Sequence, residues 1–478
     1  MITSERMAAV DRNAEALGVP RKQLMESSGN AVAREVRRSA DPGSAVAIVA
    51  GRGNNGGDAL AAARFLDEHD VTVHLLGRPE AIATEIAREN WDALRAAEYD
   101  ARAVTDSSDL DLGDPDVVVD AMLGTGVTGA LREPEATAAL AINDADATVL
   151  SVDVPSGVDA DTGEAAGVAV DADRVVTFHD EKPGLDAVDA AVTVAEIGIP
   201  EAAELFTGPG DLLALGRPAQ SHKGDFGEVL VVGGGPYTGA PALSAQAALR
   251  AGADLVRVAC PASVASEIQG YSENLILRPY ESERLSPAHV GEVLTLASEH
   301  DVTVLGPGLG SHEETLGAVR DFLEAYEGTA VVDADALEVV PTVDTDATLV
   351  CTPHQGELRE MGGETDDDWR TRADLVSEFA AGLGHVLLVK GAYDVITDGD
   401  DRRVNRTGNP GMTVGGTGDV LAGATGALAC VLPPLEAAAV AAYANGRAGA
   451  AAVEANGYGL VATDLVDRLP AALREGDE

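Results

Sequence analysis

The feature that most constrains this chain is a rhythm. Short apolar runs recur with helical patterns between most of them: AVAIVAG (45–51), VTVHLLG (71–77), VVVDAMLG (117–124), TVLSVDVPSG (148–157), RVVTFHD (174–180) and AVTVAEIG (191–198). Within the runs apolar residues follow one another instead of alternating with polar ones. Such strands are buried on both faces, which requires a parallel sheet covered by helices on each side. Two helical patterns open the chain: SERMAAVDRNAEALG, with Ser4 as its cap and Gly18 as its stop, and RKQLMESSGNAVAREVRRS. ALAAARFLDEH (59–69) and the stretch from Pro79 to Tyr99 also read as helices. A second series follows LFTGPGDLLALGRPAQSHKGDFG (205–227), whose glycines and prolines mark a boundary. Its strands are EVLVVGGG (228–235), LVRVAC (255–260), VTVLGPGLG (302–310), TAVVDADAL (329–337), ATLVCTP (347–353) and HVLLVKG (385–391). The expectation is an α/β protein of two three-layer α/β/α domains, residues 1–215 and 216–478.

Composition narrows the setting. The 478 residues are 45% hydrophobic but only 3% aromatic, so alanine, valine and leucine must fill both cores. The net charge is −47, and lysine occurs only at Lys22, Lys182, Lys223 and Lys390. An acidic, lysine-poor surface excludes nucleic acid, whose phosphates need cationic contacts. It also matches adaptation to a high-salt cytoplasm, where charge is screened. With no run of eighteen apolar residues and no signal-peptide core, the expected protein is cytoplasmic and makes no use of a membrane. Cys260, Cys351 and Cys430 are scattered and odd in number, which fits a reducing compartment.

Polar motifs sit where the strands end, the usual place for ligands in open α/β sheets. GRGNNGGD (51–58) joins a strand to a helix, and its glycines would let the backbone approach a phosphate at the helix N-terminus. No Lys-Ser/Thr follows, so it is not a Walker loop. Asp120 ends a strand and precedes the glycine loop GTGVTGA (124–130); Asp153 ends the next, in VDVPSGVD. Asn55, Asp120 and Ser156 offer hard oxygen ligands with a single carboxylate, a charge suited to a monovalent cation. Turn or cap duty is the alternative for Asp120 and Asp153.

The second series carries its own set. GNPGMTVGGTGDVLAG (408–423) runs into an alanine-rich apolar stretch. Glycines 408, 411, 415, 416 and 418 free backbone amides at the mouth of a helix, and Asp419 stands beside them as a candidate base. A helix cap at Thr417 or Asp419 is the simpler alternative, but a cap does not need those glycines. GPGLG (306–310) is another permissive loop, TPHQGE (352–357) places His354 and Glu357 after a strand, and VKGAYDVI (389–396) places Lys390 there.

GNNGGD, DAMLGTG and DVPSG, in this order, resemble the NAD(P)H-hydrate epimerase domain over about residues 1–210, a Rossmann-like fold. The resemblance implies phosphate and substrate contacts by Asn54, Asn55, Gly56, Gly57 and Asp58, and by Gly124, Thr125, Gly126, Val127, Thr128, Gly129 and Ala130. It implies potassium at Asn55, Asp120 and Ser156, and acid/base work or substrate contact by Asp153. Ala59 and Ser28 depart from the usual glycine and alanine.

KGDFGEVLVVGG (223–234), YTGAP (237–241), GPGLG, DADAL (333–337), TPHQGE and NPGMTVGGTGDVLAG together resemble the ADP/ATP-dependent NAD(P)H-hydrate dehydratase domain, a ribokinase-like fold, over about residues 217–475. This implies substrate contacts by Ala240, Gly308, His354 and Asp419, with Asp419 catalytic. It implies nucleotide binding by Lys390, Gly391, Ala392, Tyr393, Asp394 and Gly418, with Mg2+ accompanying ADP or ATP. Gln355 and Thr413-Val414 replace the usual proline and Ala-Thr. The implied substrates are NADHX and NADPHX, the hydrates of NADH and NADPH. The opening helices offer a surface for a homo-oligomer. Two alternatives stay open on sequence alone: a ribokinase-class kinase of a vitamin precursor with a non-catalytic N-terminal binding domain, and a partner-binding scaffold.

Overall fold

The computed structural model describes residues 1–126 and 128–474. It comprises two compact units, Met1–Ala203 and Glu204–Glu478. The division lies ahead of the expected boundary at 215/216. Residues just past Glu204 pack on the second unit: Thr207 N–H donates to the Val404 carbonyl at 3.0 Å, and Leu212 is buried in that unit's core.

The first unit is a seven-stranded sheet. Its strands are β1 (Ala45–Ala50), β2 (Asp70–Leu76), β3 (Asp100–Val104), β4 (Val117–Ala121), β5 (Thr148–Val152), β6 (Arg174–Phe178) and β7 (Ala191–Ala195). The order is β3-β2-β1-β4-β5-β6-β7, and every pairing is parallel. Alternate residues of one strand serve opposite cores, as a two-faced sheet demands. Val46, Ile48 and Ala50 face the layer formed by helices Ser4–Ala16, Arg21–Ser39, Asn54–Ala63 and Glu85–Ala96. Ala47 and Val49 face helix Glu135–Asn143 and the loops around Val154 and Leu185. The first helix is capped by Thr3, not Ser4; the Thr3 hydroxyl accepts from Arg6 N–H. The stretch from Pro79 to Tyr99 is a short 3-10 turn followed by a helix, with β3 directly after it.

The second unit is a nine-stranded sheet, β8 (Glu228–Val232), β9 (Leu255–Pro261), β10 (Ile276–Tyr280), β11 (Val302–Leu305), β12 (Thr329–Val332), β13 (Thr348–Cys351), β14 (Val386–Val389), β15 (Asp394–Thr397) and β16 (Arg402–Asn405). Its order is β10-β9-β8-β11-β12-β13-β14-β15-β16, with only the last two pairings antiparallel. Helices Gly239–Ala251, Thr417–Leu428, Pro434–Asn456 and Ala462–Ala472 cover one face, and Glu313–Ala325 and Trp369–Leu383 the other. Small residues let the helices on the first face approach closely. A Cβ at Gly423 would lie 2.0 Å from the Ser244 carbonyl oxygen, inside any allowed contact. That crossing brings the Ser244 hydroxyl within 2.9 Å of the Asp419 carbonyl, which it bonds. No helix among the described residues is long and apolar enough to cross a membrane.

Candidate active sites

In the first unit the site forms where β1, β4, β5 and β6 end. β1 leads through Gly51 into helix Asn54–Ala63, and no side chain caps that helix. The turn is tight enough to require glycine twice. A Cβ at Gly51 would lie 1.8 Å from the Met122 carbonyl oxygen, and one at Gly56 would lie 2.1 Å from that of Gly51. Asn54 is exposed there, and Gly56 and Gly57 are packed beneath. Gly124 lies against Asn55; a Cβ on it would sit 3.3 Å from Asn55 Cβ and Cγ. Thr125 is half-buried, and Gly126, Thr128, Gly129 and Ala130 are exposed along the same loop. Val127 lies outside the described residues.

Asp120 is fully buried, and its carboxylate accepts four hydrogen bonds. Ser156 Oγ donates at 2.6 Å, Ser156 N at 2.9 Å, Ser151 Oγ at 2.8 Å and Met122 N at 3.3 Å. Burial pushes this carboxyl up, opposed by those hydrogen bonds. Both polar atoms of the Asn55 amide, which lies against Gly124, are buried with no partner among the described residues. An orphaned buried amide costs about 1–3 kcal/mol unless something fills its bonding capacity. Asp120 and Ser156 are thus brought together, and the Asn55 Oδ1, beside Gly124, lacks a protein partner and is of the kind an oxygen-seeking cation takes.

Asp153 follows β5 with φ of 68°, a left-handed conformation that aspartate tolerates better than most residues. Its Oδ1 accepts from Thr177 Oγ1 at 3.1 Å and lies 3.2 Å from Lys182 Nζ. Asp11 and Asp58 complete a carboxyl group of three. Asp11 is pushed up to about 6, chiefly by burial, with Arg21 opposing and Asp153 adding to the rise. Asp58 is held well above the usual range by burial and by the charges of Asp153 and Asp11. Asp58 was expected from its motif; Asp11 and Lys182 were not. The scarcity of lysine was the signal for Lys182.

In the second unit the glycine-rich loop ends at Gly416, the N-cap of helix Thr417–Leu428, with φ of 94°. No side chain caps this helix. Thr417 turns away and donates to the carbonyls of Met412 and Val414. The first-turn amides therefore face outward unblocked, beside Asp419. Lys390 Nζ reaches this spot from the end of β14. It pairs with Asp333 Oδ1 at 3.0 Å and lies 3.7 Å from Glu357 Oε2. It would be 3.3 Å from a Cβ on Gly418. Asp333 is 3% exposed and also accepts from Thr352 Oγ1 at 2.8 Å. Burial pushes Asp419 up to about 7, helped by Asp333 and Glu357 and opposed by Lys390.

The remaining expected residues sort by their engagements. Gly308, with φ of 74°, is wedged against the Tyr237 carbonyl, and Ala240 lies half-buried in the first turn of helix Gly239–Ala251. His354 is 59% exposed, but its Nδ1 accepts from Glu357 N–H while Glu357 accepts from His354 N–H, a reciprocal cap. His354 thus holds Glu357 in place through Nδ1. Gly391 and Ala392 are exposed at the β14–β15 turn. Asp394 anchors that turn, accepting from Gly391 N and Asn405 Nδ2, each at 2.8 Å. Tyr393 stacks on Trp369 with centroids 5.2 Å apart. Asp333 had no assigned role in the sequence reading, although DADAL contains it.

Known proteins match both units. Residues 229–471 match the NAD(P)H-hydrate dehydratase family, and residues 21–184 match the YjeF-related protein N-terminus. The bifunctional NAD(P)H-hydrate repair enzyme Nnr of Methanothermobacter thermautotrophicus is 44% identical over 98% of this chain and 95% of its own length. The enzyme of the same name from Pyrobaculum aerophilum is 46% identical over 99% of this chain and 98% of its own. A ribokinase-like superfamily protein from Enterococcus faecalis shares the second fold; it is 24% identical, with a TM-score of 0.50, covering 56% of this chain and 95% of that one. The chain belongs to the bifunctional NAD(P)H-hydrate repair enzymes, which join an NAD(P)H-hydrate epimerase to an NAD(P)H-hydrate dehydratase.

Proposed function

We propose that the first unit interconverts the R and S hydrates of NADH and NADPH through Asp153, and that the second dehydrates the S hydrate through Asp419 at the expense of ADP or ATP. The observation that carries this reading is the pairing of a raised carboxyl, Asp419, with an uncapped helix N-terminus and a half-buried lysine. In the hydrate, the C6 hydroxyl is adjacent to the ring nitrogen. Epimerisation needs only loss of that hydroxyl as water to give an iminium, and return of water to the other face. Asp153 gives and takes the proton.

Dehydration is harder, because hydroxide leaves poorly. Asp419 takes the hydroxyl proton as the oxygen attacks the terminal phosphorus, and the nucleotide departs. The Gly415–Gly418 amides and Lys390 stabilise the charge on the transferred group. The C6–O bond then breaks with release of phosphate, which carries off a C5 proton, and the reduced ring is restored. Magnesium would arrive with the nucleotide and neutralise phosphate charge; among the described residues no cluster of three acidic, histidine or cysteine side chains is set to hold a metal. Lys390 to Asp394 would meet the nucleotide, and Ala240, Gly308 and His354 the hydrate.

A mixture of both NADHX epimers, with magnesium in potassium chloride, tests the reading. Reduced-nicotinamide absorbance should return fully with ADP or ATP and not without. Recovery that stops when one epimer is exhausted would remove epimerisation from the first unit. A stable phosphorylated product would favour the kinase instead.

Asn55, Asp120 and Ser156 would hold potassium, which supplies a fixed positive charge that positions the substrate phosphate. The net charge of −47 also supports activity in concentrated salt. The two effects separate at equal ionic strength. The first unit should melt several degrees higher in potassium than in tetramethylammonium chloride, and Asn55→Leu should remove the difference. Equal melting of the wild-type unit in both salts would leave only screening.

A further inference from the structure

Lys182 is one of four lysines in the chain and is fully buried. Its ammonium donates to the carbonyls of Phe178 at 2.7 Å and Asp180 at 3.1 Å, and lies 3.2 Å from Asp153 Oδ1. An ammonium has three protons, and three acceptors surround it, so none is left for a ligand. A compact ammonium fits this arrangement where a planar guanidinium would not. Buried charges of this kind persist only where acceptors are held in place for them.

The consequence falls on Asp153. Lys182 and Thr177 both engage Oδ1, and neither engages Oδ2. Asp11 and Asp58 approach from two helices of the same unit, and His179 lies on the segment after β6. Asp11 and Asp58 thus crowd Asp153 with like charge, and the ammonium touches Asp153.

We propose that Lys182 is the positioning residue of the epimerisation site: its buried ammonium anchors Oδ1 of Asp153 and leaves Oδ2 to give and take the proton at the hydrate. The inference rests on Asp153 being the acid/base group. Lys182 acts through Asp153 and does not meet the substrate.

The test measures exchange between the two hydrate epimers against pH in the full chain. Lys182→Met should lower exchange about 100-fold, while nucleotide-dependent dehydration of the S hydrate is unchanged. The limb of its pH profile that reports Asp153 should move up by at least one pH unit, because an opposite charge that favours the carboxylate has gone. A structural role alone would not move that limb. Lys182→Met exchange within twofold of wild type, with the limb unmoved, overturns the inference. Asp153→Asn separates the two readings. If it still exchanges epimers, the role of Asp153 falls; if it is inactive while Lys182→Met is normal, only Lys182 falls.

Where Lys182→Met does not melt cooperatively, the wild-type protein decides. Labelling lysine at Cε gives four resonances. The Lys182 resonance should step across the pH interval of that limb, and the step should vanish in Asp153→Asn. A resonance flat across that interval overturns the proposal.

Discussion

Asp419→Asn is expected to fold, to bind nucleotide and to lose dehydration by about a thousandfold, within the range for removing a general base. The carboxyl stands at an uncapped helix N-terminus, beside the amides that would receive the phosphate. It is raised to about 7 by burial and by Asp333 and Glu357, with Lys390 opposing. Wild-type dehydration should therefore climb with pH through about 7 and then level, and the asparagine variant should show no such climb. Stability should move the other way. The ordinary value is 3.8, so the carboxyl binds its proton more tightly folded than unfolded. Its contribution is full below 3.8 and declines until pH passes about 7. Asparagine cannot ionise. The variant should gain a few degrees in melting temperature at pH 8 and nothing at pH 4. Activity profiles and melts at both pH values check this, and wild-type rates in the variant would remove Asp419 as the base.

The interior of both sheets was legible because its strands are apolar without interruption. β1, β4, β8 and β11 begin within a residue of the apolar runs that announce them. The strands missed were β3, β10, β15 and β16. β3, β10 and β16 are outermost in their sheets and β15 lies beside β16, so three of them need only one neighbour. Their sequences, DARAV, ILRPY and RRVN, carry charge on the solvent side and show no run. The same logic divides the sites. Asn55, Asp120, Ser156, Asp153, Lys390 and Asp419 were legible because strand ends and glycine turns announce them. Asp11 and Lys182 were not, since they come from an opening helix and from the segment after β6, with no glycine turn beside them. Asp333 lay in plain view in DADAL, but its partner Lys390 is 57 residues away and only the sheet order joins them. His354 and Asp394 were expected as direct contacts, yet each spends polar atoms on local structure.

Lys390→Met is expected to abolish dehydration at neutral pH and to destabilise the second unit. The side chain is the cation among Asp333, Glu357 and Asp419. Burial alone would lower its pKa, but the charges of those three carboxylates outweigh it and raise it. Removing it leaves Asp333, 3% exposed, with Thr352 as its remaining side-chain partner. Breaking a buried pair from one side costs about 3–5 kcal/mol, less whatever protonation of the carboxyl recovers. Asp419 loses the charge that opposed its rise and should bind its proton beyond pH 7. The residual activity of the variant should therefore still be climbing at pH 9, where the wild type is level. Lys390→Arg should not restore it, because the ammonium already lies where a Cβ on Gly418 would be 3.3 Å away, and a guanidinium is larger. Lys22→Met is the control: that lysine is exposed and pairs with Glu89, and surface pairs contribute about 0–1 kcal/mol. Dehydration measured from pH 6 to 9 for the three variants decides. A profile for Lys390→Met that levels with the wild type would mean that Lys390 binds nucleotide without setting the state of the base.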